Sequence, residues 1–272
     1  MYNHSAFQWL ARAGYAARGI VYVLVAGLAL LSSFGGSKPD SKSALQVVLQ
    51  QPLGRIWLGV IAIGLLGFIA WRLAQTFANA DGHPSTLKGF GIRFGMLISA
   101  VVHCSLALYA ANLALGVGSQ DGTSSGEAEL SASLIAQPFG RYLLASVGFA
   151  VVGAGIAQII KGASHGYRKY LDIPSTAGTA INFICVYGLT ARGLVFAISG
   201  VFFLYASYAV NPDQAGGLSD AMAWVRQLPF GALLYSAVAI GLLAFGLYGF
   251  VEAAYRRINP PPITAARHAV GL

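Results

Sequence analysis

The sequence predicts an all-α integral membrane protein with six transmembrane helices, arranged as three tandem helical hairpins with pseudo-threefold order. Three observations carry this. First, only 10% of the 272 residues are charged and 56% are hydrophobic, with a mean hydropathy of +0.65; a soluble domain carries about 25% charge. Second, apolar runs of about 20 residues, enough to cross a bilayer, recur along the chain. Third, one motif returns three times: Pro-Leu-Gly-Arg at Pro52 to Arg55, Pro-Phe-Gly-Arg at Pro138 to Arg141, and Pro-Phe-Gly-Ala at Pro229 to Ala232. Each copy opens an apolar run, and each follows another apolar run and a polar loop. The chain is therefore one helix pair written three times.

The spans fall at about 14–34, 55–78, 93–116, 140–162, 185–209 and 231–255. The first follows Arg12 and Arg18 in the manner of a signal peptide. It aligns with the openings of the other repeats and lacks a small-x-small cleavage site, so it reads as a retained helix. The odd-numbered spans align at Gly14 to Gly19, Gly95 to Ala100 and Gly188 to Gly193; the second copy keeps the small residues and has Ser99 where the others have Arg18 and Arg192. Within each repeat, a short segment precedes the motif proline: Ser43 to Gln51, Leu130 to Gln137 and Asp220 to Leu228. In the first, Leu45, Val48 and Leu49 are spaced as on one helix face, which suits a short helix lying in the membrane interface; the alternative is an ordered loop. The proline ends it, and the following glycine is expected to permit the sharp turn into the next span. The repeats thus occupy 12–80, 93–169 and 187–257. After Pro260-Pro261-Pro262, residues 258–272 read as a mobile tail.

Charge assigns the sides. The N-terminus, second loop, fourth loop and C-terminus, with adjoining helix ends, hold twelve basic residues against Asp81, Asp172 and Glu252. The opposite side holds five, Lys38, Lys42, Arg55, Arg141 and Arg226, against six acids. Basic groups mark the inside, so both termini are expected in the cytoplasm. This placement also accounts for the net charge of +8 without a phosphate-tracking face, and excludes nucleic acid as the expected partner.

The repeated Ala-Arg-Gly and Pro-aromatic-Gly-Arg elements, best seen at Arg12 to Tyr22, Gln137 to Arg141 and Tyr187 to Gly193, resemble a bacterial membrane family known as domain of unknown function 1206. The resemblance covers about residues 12–257, with departures at Ser99 and Ala232. It implies an integral six-span protein, here in the bacterial inner (plasma) membrane, and brings no activity and no catalytic residue.

Candidate functional residues are few. Counted from each motif glycine, position +5 is Gly59, Ala145 and Ser236; +10 is Gly64, Ala150 and Gly241; +13 is Gly67, Gly153 and Ala244. These lie on one broad helical face, and small residues there predict close helix packing at Gly59, Gly64, Gly67, Gly153 and Gly241. The competing use is a sliding or pore-lining surface. Arg18, Arg72, Arg192 and Glu252 form the candidate intramembrane polar cluster, about one turn inside the cytoplasmic end. Glu252 is expected to pair with Arg192 of its own repeat or with Arg18 of a neighbour; the alternative is that the arginines snorkel and Glu252 faces water. His103 is expected to bond between helices, with Asn112 or a tyrosine. His103 and Cys104 point about 100° apart and cannot share a metal. Cys104 and Cys185 lie at different depths and read as apolar fillers rather than a disulfide.

No hydrolase elbow, phosphate loop or paired-carboxylate motif occurs. The expectation is a protein that is not an enzyme, without cofactor or metal. It would be a structural or partner-binding subunit whose partners are membrane lipids, another membrane protein or a second copy of the chain. The alternative is a small-solute transporter or channel with its site between the repeats. Asp121→Cys, in a chain without its native cysteines, should react with an impermeant maleimide added outside intact cells; no labelling there would reverse the topology.

Overall fold

The computed structural model describes residues 4–32, 40–117, 126–174 and 178–258. The expected tail beyond 258 and the charges of 33–39 and 118–125 lie outside the described residues. Among them the elements are helical: α1 (His4–Ser32), α2 (Ser41–Leu49), α3 (Gly54–Phe77), α4 (Leu87–Leu115), α5 (Gly126–Ile135), α6 (Gly140–Ala163), α7 (Gly178–Ala209), α8 (Leu218–Gln227) and α9 (Gly231–Tyr255), with single 3-10 turns at Arg168–Tyr170 and Pro212–Gln214. Six helices are long and apolar enough to cross a membrane: Phe7–Ser32, Gly54–Phe77, Leu87–Leu115, Gly140–Ala163, Gly178–Ala209 and Gly231–Tyr255.

The short segments before each motif proline are helices in all three repeats. Asp40 caps α2 by accepting from the Ser43 N–H at 2.7 Å, and Asp220 accepts from the Gly217 N–H at 3.0 Å at the start of α8. They do not simply float at the interface. α2 buries Ala44, Leu45 and Val48 among Val21, Val25 and Leu28 of α1, Leu58 and Ile61 of α3, and Ala107 and Ala110 of α4. α8 buries Ala221, Met222 and Val225 against Ala26 and Ala29 of α1 and Tyr235, Val238 and Leu242 of α9. Each is a wedge joining its own hairpin to the next.

The turn after each wedge differs from the sequence expectation. The left-handed residue is the one between proline and glycine: Leu53 (φ 60°), Phe139 (φ 61°) and Phe230 (φ 59°). The glycine is needed for a different reason. A Cβ on Gly54 would stand 2.3 Å from the Val48 carbonyl oxygen, on Gly140 2.2 Å from that of Leu134, and on Gly231 2.0 Å from that of Arg226. The spanning helix starts directly on the last turn of the wedge, and only a missing side chain lets the two backbones meet.

The transmembrane helices follow the circular order α1, α3, α4, α6, α7, α9. α1 packs on α3, α3 on α4, α6 on α7, α7 on α9, and α9 back on α1. Glycine contacts set the closest crossings: a Cβ on Gly19 would meet the Gly246 carbonyl oxygen at 2.8 Å, and one on Gly193 the Gly155 carbonyl oxygen at 2.7 Å. One joint of the circle is not made. Among the described residues α4 and α6, the two long helices of repeat two, do not pack on each other as the other neighbouring helices do. In keeping with this, α5 packs on α6 and α7, and among the described residues it has no comparable interface with α4.

Gly54→Ala, Gly140→Ala and Gly231→Ala should each lower the melting temperature in detergent, through overpacking of about 1–3 kcal/mol. Gly91→Ala, where a Cβ meets nothing within 4 Å, should leave it unchanged or raise it. Equal effects at all four sites would refute the close-approach role.

Candidate functional site: an arginine-rich rim and an open repeat

The second spanning helix of each repeat (α3, α6 and α9, the even helices, as against the odd helices α1, α4 and α7) carries a polar group at position +21 from the motif glycine: Gln75, Lys161 and Glu252. These sit near the ends of α3, α6 and α9. The odd helices run further past that level than the sequence reading allowed, so Arg18 and Arg192 stand near the middle of α1 and α7 while meeting the ends of the even helices.

Glu252 is the hub. Its Oε2 accepts from Arg18 Nη2 at 2.5 Å and its Oε1 from Arg256 Nη1 at 2.6 Å. Arg256 also donates to Asp81 at 3.0 Å. Gln75 Nε2 donates to Asp81 at 2.6 Å, and Arg72 Nη1 to Gln75 Oε1 at 3.1 Å. All four groups of the ion-paired chain, Arg18, Glu252, Arg256 and Asp81, have side chains no more than 6% exposed. Trp71 donates to the Tyr15 hydroxyl at 2.7 Å beneath the cluster. Repeats one and three are thereby clamped together. Arg12 adds to the clamp by donating to the Ala253 and Ala254 carbonyls at 2.5 Å, the end of α9 where cations are favoured. Just outside the span, Leu171 and Arg256 form an isolated antiparallel bridge. There Arg257 donates to Asp172 and holds its carboxyl below the usual range.

Of the two partners expected for Glu252, it is Arg18 that meets it. Arg192 lies elsewhere: it donates to Gln158 Oε1 on α6 at 2.7 Å and to the Tyr22 hydroxyl on α1 at 2.9 Å. Its guanidinium stands 4.2 Å from the Phe196 ring centroid and 4.6 Å from that of Phe245. Arg72 reaches the cluster only through Gln75. Among the described residues neither Arg72 nor Arg192 has a carboxylate within 4.0 Å, and Arg72 Nε is buried without a hydrogen-bond partner. Arg256, Asp81 and Gln75 were missed from the sequence. Glu252 and Arg256 are four residues apart, a helical pairing that could have been read; Asp81 lies in a loop, with no signal to bring it here.

Among the described residues His103 makes no hydrogen bond between helices. Its Nδ1 pairs with the Ser99 carbonyl at 2.7 Å, one turn back on the same helix, and its ring packs 4.7 Å from that of Phe68. Asn112 is exposed two turns or more away, too far along α4 to reach it. Cys104 is free and exposed, Cys185 free and buried.

The small residues divide by repeat. A Cβ on Gly64 would lie 2.5 Å from that of Ala17, on Gly67 2.4 Å from the Leu10 carbonyl oxygen, and on Gly241 2.2 Å from the Cβ of Ala191. Gly59 and Gly153 meet nothing within 4 Å, so the packing expected there is absent. Gly59 is turned off the buried stripe of α3. Gly153 is the counterpart of Gly67, but the helix it would meet, α4, stands away. The odd helices agree: a Cβ on Gly14 would be 2.3 Å from Phe68 N and one on Gly188 2.5 Å from Phe245 N, while Gly95 faces open space.

The opening has a compositional counterpart. In repeats one and three an arginine lies over the aromatic ring of its own hairpin, Arg18 at 5.0 Å from Phe68 and Arg192 over Phe245. The corresponding residues of repeat two are Ser99 and Ala154. Phe68 and Phe245 are 0% and 2% exposed, whereas Ala154 is exposed. The place taken elsewhere by a guanidinium on a ring has neither group here.

Six spanning helices in three like hairpins define a multi-pass membrane protein of tandem repeats. The family Domain of Unknown Function (DUF1206) matches at residues 13–79, 94–165 and 187–256, and the chain belongs to it. The uncharacterized protein YxxB of Bacillus subtilis (strain 168) is 32% identical over 255 residues, spanning 91% of this chain and 90% of that protein. No solved structure matches the chain.

Glu252→Gln should leave Arg18 and Arg256 buried without their counter-charge and destabilise the protein by about 3–5 kcal/mol, read as a lower melting temperature in detergent. Asp172→Asn, at an exposed pair, should leave it unchanged. Equal melting of wild type and Glu252→Gln would remove the clamp.

Proposed function

We propose that this protein is a non-catalytic membrane subunit that holds a membrane-borne partner in the opening between α4 and α6, with both termini on the cytoplasmic side of a bacterial plasma membrane. One observation carries the reading. Repeat two keeps the small residues of the hairpin interface, Gly95, Ala150 and Gly153, yet does not make that interface. A small-residue face in lipid is a surface for close association, and here the chain itself leaves it uncovered. The buried charges belong to the clamp between repeats one and three, which has the character of a structural element.

Cysteines replacing Gly95 and Ala154, in a chain lacking Cys104 and Cys185, should fail to form a disulfide in native membranes under oxidant, because the Cα atoms must come within about 7 Å. A bismaleimide long enough to span the opening should link them. Ready disulfide formation would mean that repeat two closes like its neighbours and that no partner fits between α4 and α6.

A further inference from the structure

We infer that the vacant sector of repeat two is a binding site for an anionic phospholipid, its phosphate held by Arg72 and Arg192 and its acyl chains leaving between α4 and α6. This rests on the reading that the opening is occupied from the membrane, and names the occupant.

The rim holds Arg18, Arg72, Lys161, Arg192 and Arg256 against two carboxylates, Glu252 and Asp81; both carboxylates are committed to Arg18 and Arg256, and Lys161 donates to the Tyr248 hydroxyl at 3.3 Å. Arg72 and Arg192 are left with neutral partners, Gln75 on one side and Gln158 and Tyr22 on the other. A cation held in the membrane beside neutral groups calls for an anion. Each of the two is one contact away from a helix of repeat two. Gln158, which orients Arg192, lies one helical turn beyond Ala154 on the same face of α6. Arg72 lies over Phe68 at 4.8 Å, and Phe68 in turn packs on His103 of α4, one turn from Ser99. Each guanidinium is thus tied to one helix of repeat two, Arg72 to α4 through Phe68 and Arg192 to α6 through Gln158.

Depth and walls select a lipid over a free anion. Arg72 is five residues from the end of α3, about 7–8 Å along the axis at 1.5 Å per residue, which lies within reach of a phosphate at the membrane surface. The helices on either side expose apolar residues, Ile98 and Val102 on α4 and Phe149 and Ile156 on α6. These are walls for acyl chains rather than water. Guanidinium groups suit the head, since they bind phosphate through paired charge-assisted hydrogen bonds.

The test is native mass spectrometry of delipidated protein titrated with phosphatidylglycerol or phosphatidylcholine. The wild type should take up one phosphatidylglycerol with a preference of about tenfold or more, the worth of one charge-assisted contact. Arg72→Gln with Arg192→Gln should abolish the preference. Ala154→Phe with Ser99→Arg, which refills the sector as in the other repeats, should exclude the lipid while keeping Arg72 and Arg192 and maintaining the melting temperature. Equal binding of the two lipids by wild type, or undiminished phosphatidylglycerol binding by the refilled variant, would overturn the inference. So would displacement of the lipid by millimolar inorganic phosphate, which would make the site one for a free anion. Covalent capture of a protein helix at Ala154→Cys, with no lipid preference, would replace the lipid by a protein and leave the proposed role standing. A Gly95–Ala154 disulfide would end both.

Discussion

A carboxylate within a membrane persists only where cations surround it, and Glu252 meets that condition by drawing one guanidinium from the first helix and another from just beyond the last. The ion pairs join the two ends of the chain. α1 and α9 are distant in sequence, and hydrocarbon supplies no hydrophobic drive to bring helices together. The buried chain Arg18–Glu252–Arg256–Asp81, with Gly19 lying backbone to backbone against Gly246 and Gly249, supplies a directional substitute. Breaking one member strands the others in a medium that cannot solvate them.

Closure at this joint makes the absence of closure at another meaningful. The three repeats use the same parts: a wedge helix, a left-handed residue after proline, a glycine set on the wedge's last turn, and a small-residue hairpin face. Repeats one and three also stack an arginine on an aromatic ring between their helices. Repeat two has Ser99 and Ala154 instead, and there the circle opens. Losing both bulky partners removes the dispersion and cation–ring contacts that would hold α4 to α6, while each helix stays fixed on its outer side, α4 by α3 and α6 by α7. A tandem array thus leaves one of three equivalent joints unmade where two residues, Ser99 and Ala154, differ from their counterparts.

Much of the fold was legible beforehand because lipid imposes a strong pattern. Low charge, spans of bilayer length and the returning Pro-aromatic-Gly motif gave the helix count, the hairpin unit and the wedge helices. The motif glycine was legible as special but for the wrong reason: a turn was visible in sequence, the proximity of a carbonyl oxygen was not. The unusual charges were visible in the sequence, and Arg18 stood beside Arg192 as a possible partner for Glu252; spacing along the chain could not choose between them, because the choice is made between repeats.

By itself the sequence determined that hydrocarbon is the solvent, that one hairpin is used three times, and that charges at the rim need partners, because these follow from composition and local spacing. Which helix faces which was decided by tertiary structure alone. It joined Glu252 to Arg18 rather than Arg192, brought in Asp81 from a loop, and left Gly95 and Gly153 uncovered. The physical reason is that a small-residue face states only that a close neighbour can be accommodated. Whether one arrives depends on the bulk and charge of residues on other helices, and those distances are set when the circle assembles.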